Sequence, residues 1–189
     1  MNKIIISFLL SAALFSGRAI AQDKYFTKAG AISFNAEGAL DDVEEIRANT
    51  NTATCVIDAA TGQMEWAVLM KSFQFKNALM QEHFNENYVE STEFPKANFK
   101  GVIDNPQAIN WGKDGAYPVT VKGKMTLHGV TKDMTAKGLI TVTKGVISAT
   151  SDMSLLLADY GIEIPALVGN KVSKEVKVKV DSSLTKLAK

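Results

Sequence analysis

Several stretches of the chain alternate apolar and polar residues with a period of two. The clearest lies between residues 171 and 181, and similar rows occur over 119–127, 133–142 and 149–157. Successive side chains of a strand point to opposite faces, so each row predicts a strand with one buried face and one face in water. In the C-terminal row the buried parity contains Val172, Val176, Val178 and Val180, and the other parity is mainly Lys, Ser, Glu and Asp.

Turn signals separate these strands. A His-Gly pair at 128–129, a Lys-Gly pair at 144–145 and a Val-Gly-Asn run at 168–170 each lie between alternating rows. An Ala-Ala-Thr-Gly run at 59–62 separates 52–58 from 63–70 and predicts a hairpin there.

Two further strands are predicted at 31–36 and 97–104, for a total of about eight or nine. Consecutive strands joined by short turns favour antiparallel order and an all-β fold. A sheet of this many strands either splits into a sandwich or closes into a barrel, and the periodicity alone leaves both open.

One segment breaks the period of two. Residues 77–87 are rich in good helix formers, and Leu79, Met80, His83 and Phe84 fall on one helical face. Pro95 comes shortly before the next strand. This pattern predicts a short helix that closes over one end of the sheet.

The first 21 residues have the order of a secretory signal. A short positive start is followed by an apolar run over 4–15, and Ala19-Ile20-Ala21 fits the small-x-small cleavage site. The run is shorter than the roughly 20 residues that a membrane-spanning helix needs. We therefore expect a signal peptide over 1–21, cleavage after Ala21 and a single exported domain over 22–189, rather than an N-terminal core helix.

Composition removes several classes of function. The formal net charge of +1 has no basic surplus of the kind that nucleic-acid binders carry. One cysteine and two histidines leave no intrachain disulfide and little material for a metal site, so we expect no metal and no cofactor. Cys55 lies in an alternating stretch and is most simply a small buried apolar residue. No Ser or Cys nucleophile motif is present, and we assign no catalytic residue.

Two polar features remain. Asp41, Asp42, Glu44 and Glu45 form an acidic cluster that is typical of a solvated loop, with weak calcium binding as the alternative. His128 lies in a predicted turn, where a structural role is expected.

Five short motifs resemble, in order and spacing, those of the YceI-like family. The run VKGKMTLHGVTK at 121–132 is similar to the family hairpin V-x-G-x-L-T-x-x-G-V-T-K. The other four are GAISF at 30–34, EFPKANF at 93–99, DYGI at 159–162 and VGNKV at 168–172. Together they cover nearly all of residues 24–183.

The chain also departs from the family. Many members carry R-D-x-H-L in the central helical segment, whereas residues 80–84 read MQEHF and keep only His83. Because the Arg-Asp pair is missing, its role in other family members is not carried over to this chain. Residues 40–51 also fit the family poorly.

The resemblance implies an all-β fold, an eight-stranded antiparallel lipocalin-like barrel with a short helix over one end. It also implies an exported, periplasmic or secreted bacterial binding protein without enzymatic activity. Its partner would be a long apolar molecule, a polyisoprenoid or a fatty acid or amide, and neither nucleic acid nor a membrane span is implied. An eight-stranded barrel can hold one small ligand. Oligomeric state is open, and a dimer is one option.

We expect such a ligand to be bound by apolar residues with one polar contact, for which His83 is the candidate, although a hydrogen-bonded structural histidine is the simpler interpretation. The expected ligand-binding residues are Phe34, Trp66, Phe73, Phe75, Met80, His83, Phe84, Phe99, Met125, Met153, Leu155 and Tyr160. The main alternative is a ligand-free structural or stress-related interaction module with a filled barrel. An outer-membrane barrel fits poorly, because the exposed face of the last strand is charged, and an enzyme is the remaining alternative.

Overall fold

The computed structural model describes residues 23–38 and 46–187, so the predicted signal peptide and the acidic cluster lie outside the described residues. Every strand pairing in this part of the chain is antiparallel. The strands are β1 (Lys24–Glu37), β2 (Arg47–Asp58), β3 (Gln63–Leu69), β4 (Gln74–Phe75), β5 (Lys96–Ile103), β6 (Gly115–Leu127), β7 (Val130–Thr143), β8 (Val146–Leu156) and β9 (Val172–Lys186).

Eight of these strands close into a barrel in the order β1-β2-β3-β5-β6-β7-β8-β9. Each strand pairs with its neighbour in this series, and β9 returns to pair with β1, with Ile32 opposite Val180 and Phe34 opposite Val178. The two-residue β4 adds only to the beginning of β2. The alternation of apolar and polar residues is therefore resolved as a barrel and not as a sandwich.

The predicted turns are confirmed and are of the kind that tight hairpins need. His128 and Gly129 have φ of 50° and 70°, and Lys144 and Gly145 have φ of 51° and 81°. Positive φ at both central residues is the mark of the type I′ turn, whose twist matches that of paired strands. The predicted hairpin at 59–62 joins β2 to β3, and the Asp58 carboxylate accepts two backbone N–H groups of that turn at 3.0 and 3.1 Å.

The predicted helix is present, but one of the four residues expected on its inner face is exposed. Helix α1 (Ala78–His83) begins after Asn77, whose side-chain oxygen accepts the backbone N–H groups of Leu79 and Met80. A single π-helical turn, Phe84–Tyr88, follows it. Leu79 was expected on the buried face, but its side chain is 57% exposed. Met80, His83 and Phe84 alone have the i, i+3, i+4 spacing of one helical face, and Leu79 is rotated away from it by about 100°.

Four short 3-10 turns complete the described chain, and they are Met70–Ser72, Pro106–Ala108, Leu157–Tyr160 and Ala166–Val168. No helix among the described residues is long and apolar enough to span a membrane.

The two ends of the barrel are built differently. At the end where β1 begins, an apolar cluster that includes Ile57, Ile147 and Leu184 fills the interior, and Tyr25 stacks on Trp111 with ring centroids 5.3 Å apart. We call this the plugged end. The opposite end carries α1 and a second cluster, which includes Phe73, Leu127 and Tyr160. We call it the helix end.

The buried thiol provides a test of this packing. Cys55 is 1% exposed within the first cluster, and burial raises the pKa of its thiol well above the usual value. Thiolate is the reactive form, so a maleimide should not modify the native protein. Mass spectrometry of the intact protein should show labelling only at urea concentrations where the β-sheet circular dichroism signal is lost. Complete labelling of the folded protein would contradict this position for Cys55.

Candidate functional site

An apolar cavity of about 550 Å³ lies inside the barrel. It falls within the range of about 300–1,000 Å³ that is typical of small-molecule pockets. The cavity arises because the inward side chains toward the helix end include small ones, among them Ala36, Ala97 and Ala136, which leave space in the interior. The interior is therefore filled at one end and hollow beyond it.

The bottom of the cavity is formed by four buried residues that also belong to the cluster at the plugged end. These are Met64, Val121, Ile140 and Ala149. Behind them the side chains of Ile57, Ile103 and Leu184 are at most 1% exposed. We call the four residues the floor of the cavity.

The wall follows the predicted parity closely. The four valines of the C-terminal row, on β9, all line the cavity, as do Val119, Met125 and Leu127 on β6 and Met134 on β7. The alternate residues of β9, such as Lys177 and Lys179, are exposed on the outside of the barrel. The predicted buried faces are thus confirmed for these strands.

A cluster of four phenylalanines fixes the helical segment to the barrel. The ring of Phe34 on β1 lies 5.4 Å from that of Phe84, 5.3 Å from that of Phe73 and 5.8 Å from that of Phe75. Phe84 and Phe75 are in turn 5.1 Å apart. Aromatic pairs at these distances each add about 0.5–1.5 kcal/mol beyond the burial of their area. The cluster holds Met80 and His83 against the cavity.

Ten of the twelve expected ligand-binding residues line this cavity. They are Phe34, Trp66, Phe73, Phe75, Met80, His83, Phe84, Phe99, Met125 and Met153. Their contact with a ligand remains a prediction, but the structure places them together on one surface.

Leu155 and Tyr160 do not line the cavity. Leu155 continues the inward parity of Met153 on β8 but packs into the second cluster. Tyr160 is buried in the 3-10 turn after β8, where burial raises the pKa of its phenol, and to a lesser extent so does the nearby Asp159 carboxylate. The chain leaves the sheet at Leu157, and a strand parity cannot be extended past that point.

Sequence reasoning missed the aliphatic part of the lining. Ile162, Ile164 and Val168 line the cavity from the segment between β8 and β9, which has no strand periodicity. Lys171, just before β9, also lines it and is exposed, so the cavity reaches solvent at the helix end. The valine row of β9 indicated a buried face. In a barrel the buried face of a strand lines the interior, which is also where a ligand would lie.

The two histidines have different surroundings. His83 lines the cavity, whereas His128 lies outside it, with Nδ1 3.0 Å from the Tyr160 carbonyl oxygen and Nε2 2.6 Å from Glu90 Oε2. This arrangement ties the segment after the helix to the β6–β7 turn and to the segment after β8. No group of three or more His, Cys, Asp or Glu side chains suited to a metal ion occurs within 23–38 and 46–187.

Comparisons with known proteins agree with this architecture. A polyisoprenoid binding domain from Saccharophagus degradans, implicated in plant cell wall breakdown, superimposes with a TM-score of 0.75 at 14% identity, over 88% of this chain and 99% of that one. BcnA from Burkholderia cenocepacia gives a TM-score of 0.65 at 15% identity, over 82% of this chain and 96% of that one. The YCEI protein of Campylobacter jejuni gives 0.60 at 14% identity, over 80% and 90%. These likenesses concern the fold.

No curated protein sequence matches the chain. The model of the YceI-like domain, however, matches residues 24–184, which are most of the chain. The protein therefore belongs to the YceI-like domain family.

Proposed function

We propose that this protein is an exported, non-enzymatic carrier that holds one long apolar molecule, isoprenoid or fatty-acyl, inside its barrel. The observation that supports this most is the cavity of about 550 Å³ with an apolar wall and a packed floor. The S. degradans neighbour is described as polyisoprenoid binding, which supports the same class of ligand here.

The energetics of such a site depend on chain burial. Each buried methylene contributes about 0.8 kcal/mol, so about 20 of them contribute about 16 kcal/mol. Association costs about 4–15 kcal/mol in lost freedom of motion. An apolar tunnel can thus hold a chain without a strong polar anchor, and His83 and Lys171 remain for the head group.

A carrier of this kind needs no reactive group. Wall residues such as Val178, Met125 and Phe99 have no side chain that could act as an acid, base or nucleophile, and binding and release break no bond. The rival function, a ligand-free interaction module, would require the interior to serve no binding purpose. Measuring the lipid content of the natively purified protein distinguishes the carrier from the interaction module.

Met153 and Ser154 are neighbours on β8 whose side chains lie on opposite faces of the sheet. Met153 lines the cavity, and Ser154 points outward and is exposed. Wild-type protein purified without detergent and extracted with organic solvent should release about one prenyl or acyl lipid per chain by mass spectrometry. Met153→Asp places a carboxylate in the apolar wall, where its desolvation is costly, and should lower the lipid content at least about tenfold.

Ser154→Asp adds the same charge on the outer face and is the control, which should retain the lipid. Circular dichroism should show that both variants are folded. A wild-type protein without lipid that also fails to take up added lipid would refute the carrier proposal. Equal lipid content in Met153→Asp and wild type would remove Met153 from the binding site.

Export provides a separate prediction. When the full chain is produced in a bacterium with two membranes, the periplasmic protein should have the mass of a chain that begins at Gln22. Ala21→Phe should block processing, because the residue before the cleavage site must be small. Ile20→Phe, at the unrestricted middle position of the same motif, should be processed normally. Unprocessed wild-type protein in the cytoplasm would contradict the proposed location.

A further inference from the structure

We propose that the cavity acts as a ruler that selects chains of about 20 carbon atoms and excludes about half of a 40-carbon chain from the interior. This inference rests on the proposed carrier function and adds the ligand's length to it. Three properties of the cavity carry it, namely its volume, its blocked floor and the polar residues His83 and Lys171 at its helix end.

The volume limits how much chain can enter. An engineered cavity of about 150 Å³ holds one benzene ring, which has six carbon atoms. On that scale a cavity of about 550 Å³ has room for about 20 non-hydrogen atoms. That corresponds to about four isoprene units or to a common long-chain fatty acid.

The floor prevents the chain from passing further into the barrel. Met64 and Ile140 form part of it, and behind them Ile57 and Leu184 are fully buried in the packed cluster. The Tyr25 and Trp111 rings stack across the same end of the barrel. Protein interiors packed in this way leave no continuous space for a chain.

The opposite end sets where the head group lies. His83 and Lys171 line the cavity on the helix end, and Lys171 is exposed to solvent. A chain whose tail touches the floor therefore places its polar group beside these residues. Carbon atoms beyond the first twenty or so would extend past Lys171 into water and gain little from binding.

Affinity should consequently depend on chain length in two phases. Unbranched fatty acids of 8 to 24 carbons share one head group, and prenols of 10, 20 and 40 carbons extend the range. With delivery from cyclodextrin to delipidated protein, calorimetric Kd values should fall by up to about fourfold per added methylene until the cavity is full. Beyond about 20 carbons the Kd should stop falling.

Substitutions at the floor should move this limit in opposite directions. Met64→Ala removes three non-hydrogen atoms from the floor and should lengthen the preferred chain by about three carbons, and Ala149→Leu should shorten it by about as many. Leu184→Ala is the control, because it opens the same cluster at a fully buried residue that does not line the cavity. Its preferred chain length should equal that of the wild type.

The outcomes separate the ruler from the carrier. A Kd that keeps falling up to 40 carbons, or an unchanged limit in a folded Ala149→Leu variant, would overturn the ruler and leave the carrier function standing. Absence of binding at every length would refute the carrier function and the ruler with it. If Met64→Ala does not fold, the wild-type length series and Ala149→Leu still decide the question.

Discussion

The pairing of β1 with β9 is the contact on which the rest of the structure depends. These strands are the first and last of the described chain, and their ladder runs from Tyr25 opposite Lys186 to Glu37 opposite Val172. Without it, eight strands would form an open sheet with one apolar face in water and two unpaired edges. With it, the apolar parity of every strand faces a common interior and both edges disappear. A surface hydrogen bond from Lys186 to Asp23 at 2.7 Å, which raises the pKa of Lys186, lies at the end of this ladder.

Closure also creates the division between a filled and a hollow half. The plugged end is filled by large side chains such as Ile57, Ile147 and Leu184, and its rings stack across the opening. Toward the helix end, the inward side chains include several alanines and valines, and a cavity remains between them. The phenylalanine cluster around Phe34 then holds the helical segment against this hollow half. One closed sheet thus provides both the stability of a core and a space for a ligand.

Much of this fold could be predicted from the sequence, because strand parity and glycine turns are local properties. The valine row of β9 and the turns at His128 and Lys144 were read correctly for that reason. Barrel closure, by contrast, joins residues more than 130 positions apart, and no local pattern encodes it. Leu79 was wrongly predicted to lie on the buried face of the helix. Each residue along a helix is rotated by about 100° from the one before, so the neighbour of a buried residue can be exposed.

Prediction of the candidate site from the sequence is also limited by what strand parity can show. Ten expected residues line the cavity because they lie on inward parities or on the inner face of the helical segment. Leu155 has the inward parity but packs into the second cluster, and Tyr160 lies beyond the end of β8, where parity has no meaning. A void is also invisible to parity, since parity gives the direction of a side chain and not the distance to the one across from it.

The central claim is that the hollow half of the barrel is a site for an apolar chain. A crystal structure of the protein purified natively, without detergent or added lipid, tests this most directly. The account predicts continuous elongated density from the floor at Ile140 to the helix end beside His83, with the wall residues in the positions described here. An interior closed by repacked side chains, with no space and no density between the floor and the helix, would contradict it.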